Sequence, residues 1–170
     1  QIKVLILTPT RELAIQLHES FAAYGRYTGL THAVIFGGVS QVPQVNQLRH
    51  GVDILVATPG RLLDLMSQGY IGLQHLKIFV LDEADRMLDM GFIDDIKEIL
   101  SHIDSKKQIC LFSATMPDSI MQLARDQMHN PKHISIEKTI SQANINQSYL
   151  MLYEKDKFQQ LVSTLKPISN

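Results

Sequence analysis

Asp82, Glu83 and Asp85 are three carboxylates within four residues, directly behind the apolar run Ile78-Phe79-Val80-Leu81. Carboxylate oxygen is a hard ligand that holds Mg²⁺, usually through water, and a neighbouring carboxylate can orient or deprotonate an attacking water. Four consecutive apolar residues bounded by charge fit a strand covered on both faces, as in a parallel sheet. The acids then stand at the carboxyl edge, where open α/β sheets bind ligands. Two acids after a strand are, taken alone, more often a solvated turn. What tells against that here is the rest of the chain.

Three other apolar runs end in a shared pattern. Leu7 leads into Thr8-Pro9-Thr10-Arg11-Glu12, Ala57 into Thr58-Pro59-Gly60-Arg61, and Phe112 into Ser113-Ala114-Thr115-Met116-Pro117-Asp118. In each, a hydroxyl residue and a proline stand between run and helix, where Ser or Thr can cap and Pro suits the first helical position. Helix amino termini carry free N–H groups and partial positive charge, so they attract phosphate without net basic charge. Arg11 and Arg61 add a forked donor that matches phosphate oxygens. One such turn is most simply a well-capped helix; three at one sheet edge, beside Asp82 and Glu83, point to a row of phosphate sites. Gly37-Gly38 fits either a simple turn or the close approach of a ligand.

The elements that must position these residues are legible as periodicity. Candidate strands are Ile2–Leu7, Ala33–Phe36, Ile54–Ala57, Ile78–Leu81, Ile109–Phe112 and His133–Ile136. Between them, apolar residues recur at helical spacing: Leu13, Leu17, Phe21 and Tyr24; Val42, Val45 and Leu48; Phe92, Ile93, Ile96, Ile99, Leu100 and Ile103; Ile120, Leu123, Ala124 and Met128. Strand–helix alternation at this spacing predicts βαβ units and a parallel sheet. After Glu137 the pattern changes. Lys138 to Asn146 is polar and reads as a linker, followed by a strand-like Ser148–Tyr153 and a helix with Phe158, Leu161, Val162 and Leu165 on one face, stopped near Pro167.

Composition narrows the function classes. The 170 residues are 45% apolar and 19% charged, which fits one globular domain with a real core. A net charge of −1 excludes a generic polyanion binder, so any nucleic-acid contact must come from a local patch and oriented backbone groups. No apolar run approaches a membrane span, and no signal-peptide pattern opens the chain. The single cysteine, Cys110, reads as a small core residue. The seven histidines are scattered with no metal-ligand spacing, Lys106-Lys107 reads as a solvated loop, and Met87, Met90, Met116, Met121 and Met128 read as core fillers or turn residues.

Taken together, Pro9-Thr10-Arg11-Glu12-Leu13-Ala14-Ile15-Gln16, Gly37-Gly38, Thr58-Pro59-Gly60-Arg61, Asp82-Glu83-Ala84-Asp85 and Ser113-Ala114-Thr115 resemble, in order and spacing, the first RecA-like domain of DEAD-box ATP-dependent RNA helicases. Arg61-Leu62-Leu63-Asp64-Leu65-Met66 and Asp85-Arg86-Met87-Leu88-Asp89-Met90-Gly91-Phe92 look most like the bacterial RhlE-type branch. The resemblance implies a three-layer RecA-like α/β fold, a parallel sheet with helices on both faces, and ATP and Mg²⁺ as cofactors. It implies roles by position. Asp82 is the Mg²⁺-side acid, through water, and Glu83 positions or deprotonates the attacking water. Asp85, Ser113 and Thr115 couple nucleotide state to RNA. Pro9, Thr10, Arg11, Gly38, Thr58, Gly60 and Arg61 hold the RNA backbone, a grip that is largely sequence-independent. RNA and ATP are the implied partners, in the cytoplasm and away from membranes; ribosomal or RNA-decay protein partners are left unidentified.

One departure from the family pattern matters. Gly-x-x-x-x-Gly-Lys, the loop that cradles phosphates, does not occur, because no lysine follows a glycine. The expected organisation is therefore a partial first RecA-like domain over 1–137, lacking its phosphate-loop strand, a linker over 138–146, and the truncated start of a second RecA-like domain over 147–170. In the family's sheet that strand lies between the Ile109–Phe112 and His133–Ile136 strands. Without it, two edges with unpaired backbone groups are left, so the isolated chain is expected to be poorly stable or its His133–Ile136 strand to shift or swap. The chain alone is expected neither to hydrolyse ATP nor to unwind RNA. The alternatives are a non-catalytic RNA- or partner-binding module and a DNA-directed relative in the wider helicase superfamily.

Overall fold

The computed structural model describes residues 1–104, 107–136 and 149–165. The chain divides into two units, Gln1–Lys132 and His133–Asn170. In the first unit five strands, β1 (Val4–Leu7), β2 (His32–Ile35), β3 (Ile54–Ala57), β4 (Ile78–Leu81) and β5 (Gln108–Leu111), pair in parallel in the order β2-β3-β1-β4-β5. Six helices connect or follow them: α1 (Arg11–Tyr24), α2 (Val42–Arg49), α3 (Pro59–Ser67), α4 (Ala84–Asp89), α5 (Ile93–Ser101) and α6 (Asp118–Gln127). β3 and β4 coincide with their apolar runs, and β2 and β5 lie one residue earlier than theirs. β1 starts two residues late, although the backbone of Lys3 already bonds to the carbonyl of Asp53 and to the N–H groups of Lys77 and Ile78.

The parallel register levels the sheet. Leu7 is paired with both Ala57 and Leu81, Ile35 with Ala57, and Leu81 with Leu111, so all five strands end on one line. Alternate residues then divide between two faces. Leu5, Leu7, Ala33, Ile35, Leu55, Ala57, Phe79 and Leu81 face the main core, which α3, α5 and α6 close with Leu62, Leu65, Ile96, Ile99, Ile120 and Leu123. Ile6 and Val56 face the other way and pack under α1 through Ala14, with Leu17 and Phe21 at the margin. Helices therefore lie on both faces, but unequally. The continuous apolar run of β4 is buried only at alternate residues, Phe79 and Leu81. Cys110 lies between Ile109 and Leu111, which pack on the main core, and is half-buried on the opposite face instead of being a core residue.

The sixth strand expected from the sequence is absent. Residues 133–136 form no strand, and Ile134 and Ile136 are 84% and 87% exposed. A parallel strand exists only where a neighbour supplies its ladder, and among the described residues the outer edge of β5 pairs with nothing. In the second unit residues 149–153 likewise carry no strand; a single 3₁₀ turn, Glu154–Asp156, leads into α7 (Lys157–Leu165), which is the helix that the periodicity predicts. The proposed linker, Ser148 and Pro167 fall outside the described residues.

Histidines that are scattered in sequence meet in space. His18 on α1 and His32 on β2 place their Nδ1 atoms 3.1 Å apart, with the rings edge to face. Burial, and then the charge of His32, hold the His18 pKa below its ordinary 6.5, against a smaller upward pull from Glu19. A lowered folded pKa means that the unfolded chain takes up the proton more readily. Stability is therefore full above the unfolded value and falls as pH drops from there through the folded pKa. Thermal melts between pH 5 and 8 are expected to show this acid loss, and the slope should flatten in His18→Gln; an unchanged slope would remove the pair from the pH response.

Candidate functional site

Because the strands end level, the residues that follow them form a continuous rim. The ladder runs one step further, with Thr58 N–H donating to Ile35, Thr8 N–H to Ala57, Asp82 N–H to Leu7 and Phe112 N–H to Leu81, at 2.8–3.1 Å. Phe36, Thr58, Thr8, Asp82 and Phe112 thus stand side by side in sheet order. Proline-marked turns and acids, far apart in sequence, share this edge.

On the acidic side, the Asp82 carboxylate accepts the Glu83 N–H at 3.1 Å. Burial pushes the Asp82 pKa up; the Glu83 N–H bond opposes this and the Glu83 charge adds to it. Glu83 adopts φ 51° and ψ 51°, left-handed backbone that is uncommon for a residue with a long side chain. This turn starts α4 abruptly and lets Glu83 Oε2 reach Arg86 at 3.1 Å. Asp85, in the first turn of α4, is tied to the loop after β5. Its carboxylate accepts the Thr115 N–H at 2.8 Å and the Thr115 hydroxyl at 2.7 Å, and its own N–H donates to Ser113 Oγ at 3.1 Å. Burial raises the Asp85 pKa, but the bonds from Thr115, Ser113 and Arg86 outweigh it and hold the carboxyl below the usual range. Ser113 and Thr115 therefore do not cap the following helix, as their spacing suggested; α6 starts at Asp118 behind Pro117, with no side-chain cap bond. They cap and clamp α4 instead.

The half-buried Asp82 carboxylate gives a stability prediction. Asparagine keeps the acceptor for the Glu83 N–H and removes the buried charge. Asp82→Asn is expected to raise the melting temperature at neutral pH by roughly 2 °C, a small gain because solvent screens a half-exposed group. A raised folded pKa carries its penalty only as pH rises above the ordinary value of 3.8, so the gain should fade in acid. A destabilised variant would contradict this reading.

On the other side of the rim lies a cleft of about 410 Å³, lined by Pro9, Arg11, Phe36, Gly37, Thr58, Gly60, Arg61, Asp64 and Phe92. Thr10 caps α1 by accepting the Leu13 N–H at 3.3 Å, and Pro59 opens α3 behind Thr58, which makes no side-chain cap bond. Arg11 begins α1 and lies 4.9 Å over the Phe36 ring. Arg61 is largely enclosed: its Nη2 donates to the Val39 carbonyl at 2.9 Å and its Nε faces Asp64 at 3.6 Å, while Nη1 is buried without a protein partner. Gly38 takes φ 77°, which a side chain would strain, whereas Gly37 lines the cleft. Of the residues that the resemblance assigns to the RNA backbone, Pro9, Arg11, Thr58, Gly60 and Arg61 meet in the cleft; Thr10 and Gly38 adjoin lining residues in the chain without lining it themselves.

Two residues escaped sequence reasoning. Gln44 is buried, and its amide spans the Phe36 backbone, accepting the N–H and donating to the carbonyl, each at 3.2 Å; this fixes the start of the glycine turn. Thr8 is fully buried between Thr58 and Asp82, and its hydroxyl has no protein partner. A lone Gln on an amphipathic helix gives no sequence signal. Thr8 was visible only as the hydroxyl before Pro9. Among the described residues, no three His, Cys, Asp or Glu side chains converge as a metal cage, and no helix is long and apolar enough to cross a membrane.

A family model described as DEAD/DEAH box helicase matches residues 1–123. The chain is 41% identical over 158 residues to the DEAD-box ATP-dependent RNA helicase CshA of Streptococcus pneumoniae, covering 92% of this chain and 30% of that protein. It is 44% identical over 153 residues to the ATP-dependent RNA helicase DeaD of Buchnera aphidicola, covering 89% and 26%. The crystal structure of a DEAD box protein from Methanococcus jannaschii matches with a TM-score of 0.77 at 43% identity, covering 97% of this chain and 44% of that one. The chain spans about a third of the length of the curated relatives it matches.

Proposed function

The chain belongs to the DEAD/DEAH box helicase family, and on that premise we propose that it forms part of an ATP-dependent RNA helicase that couples ATP hydrolysis to local opening of RNA duplexes. One observation carries the reading: the acids and the arginine-lined cleft share one levelled sheet edge, so nucleotide and nucleic acid can be held by a single rigid frame. Asp82 would hold Mg²⁺ through water; its hard oxygen, half-buried beside a helix start, suits that ion. When bound, the ion neutralises phosphate charge and reverses the upward push of burial on the Asp82 carboxyl. Glu83 orients or accepts a proton from the attacking water. Asp85, Ser113 and Thr115 link that acidic turn to the loop after β5, a path along which nucleotide state reaches the RNA side.

Arg11 and Arg61 with the turn backbones would grip ribose-phosphate, which selects nucleic acid without reading sequence. Residues 1–137, 138–146 and 147–170 are proposed as partial first domain, linker and start of a second domain, in a cytoplasmic protein of the bacterial RhlE type. The test is phosphate release by the full-length protein with single-stranded RNA or DNA of equal length. RNA-specific stimulation is expected, and the 170-residue chain alone should release no phosphate above background. Equal stimulation by DNA would favour a DNA-directed relative; none by either would leave a non-catalytic binding module.

A further inference from the structure

The largely enclosed Arg61 is steered by a side-chain relay that ends outside the cleft. Asp64, one helical turn along α3, faces Arg61 Nε with Oδ2 and accepts the Gln68 amide N–H on Oδ1 at 2.7 Å. Only the amide nitrogen can donate to a carboxylate, so this bond fixes the orientation of the Gln68 amide. Its oxygen must then face Gln41, and the two amides pair reciprocally: Gln41 Nε2 donates to Gln68 at 2.9 Å, and Gln68 Nε2 donates to Gln41 at 3.2 Å. Gln41 immediately follows the Gly37–Ser40 turn, whose Val39 carbonyl accepts Arg61 Nη2. The relay thus closes a ring: Arg61, Asp64, Gln68, Gln41, the glycine turn, and back to Arg61.

We propose that Gln41 and Gln68 are positioning residues for nucleic-acid binding, which lock the glycine turn to α3 and so hold the Arg61 guanidinium and the turn backbone in place at the wall of the cleft where a phosphate would bind. This rests on reading the cleft as the RNA-backbone site. Each exposed hydrogen bond contributes little to folding. Their effect lies in preorganisation: a guanidinium already oriented, and a turn already at the right height, lose less freedom when RNA arrives.

The experiment uses the full-length protein, a fluorescent single-stranded oligoribonucleotide, and the variants Gln68→Ala, Gln41→Ala, both together, and Arg61→Ala. Each glutamine variant is expected to weaken RNA binding and raise the KM for RNA about 3–10-fold, with kcat at saturating RNA and the melting temperature held. The double variant should be no worse than either single, because either cut opens the ring. An unchanged KM, an equal fall in kcat, or additive losses would overturn the inference. If Arg61→Ala weakens binding while the glutamine variants do not, the relay fails and the RNA reading stands; if Arg61→Ala binds RNA normally, the RNA reading itself fails.

Discussion

Glu83→Gln in the full-length protein should lose RNA-stimulated ATP hydrolysis by about 10²–10⁴-fold, the range that a positioned general base contributes, while still binding ATP and RNA. Glutamine keeps the length of the side chain and an oxygen that can accept from Arg86, while it removes the negative charge and with it the ability to take a proton. The backbone supplies a second arm. Glu83 is held at φ 51°, a conformation that costs a side-chain-bearing residue about 1–2 kcal/mol. Glycine relieves that strain but loosens the unfolded chain by a comparable amount. Glu83→Gly should therefore fold with nearly unchanged stability and be as inactive as Glu83→Gln. Turnover above about a tenth of wild type in the glutamine variant would take Glu83 out of the proton-handling role.

Phe79→Ala should cost about 3–5 kcal/mol, much or all of the stability of a domain this size. Phe79 is fully buried at the middle of β4, paired with Leu5 on one side and Ile109 on the other. Truncation leaves a void where β4 meets the helices, and the strand that carries Asp82 loses its anchor. Urea unfolding of the 170-residue chain should show the loss as a fall in midpoint with little change in slope. Val80, the next residue, is only half-buried on the thinly covered face, so Val80→Ala is the control and should cost about 1 kcal/mol. Equal losses in the two variants would mean that the two faces of the sheet are not the unequal partners described above.

How much of this was legible beforehand depends on the kind of signal. Apolar runs and helical spacing located five strands and most helices because burial on a sheet is a local pattern. The runs could not say that β4 is buried at alternate residues, since that depends on how many helices cover each face. They also placed a strand at His133–Ile136, where the residue pattern is right but no ladder partner is present among the described residues. The turns at Thr8–Arg11 and Thr58–Arg61 were legible as capped helix starts. Ser113 and Thr115 looked the same and behave differently, because Asp85, twenty-eight and thirty residues away in sequence, competes for them. The Gln41–Gln68 pair, the Gln44 bridge and the meeting of His18 with His32 are products of chain return, and no local pattern announces them.

The imbalance between the two faces of the sheet has a mechanical meaning. α1 is seated on a small cluster through Ala14, Leu17 and Phe21, whereas α3 sinks Leu62 and Leu65 into the main core. Amide protons in α1 should therefore exchange well before those in α3. Arg11 and Arg61 line one opening from supports of unequal stiffness, like a jaw with one hinged and one fixed side. Anything held in that opening would be gripped from one yielding and one fixed side.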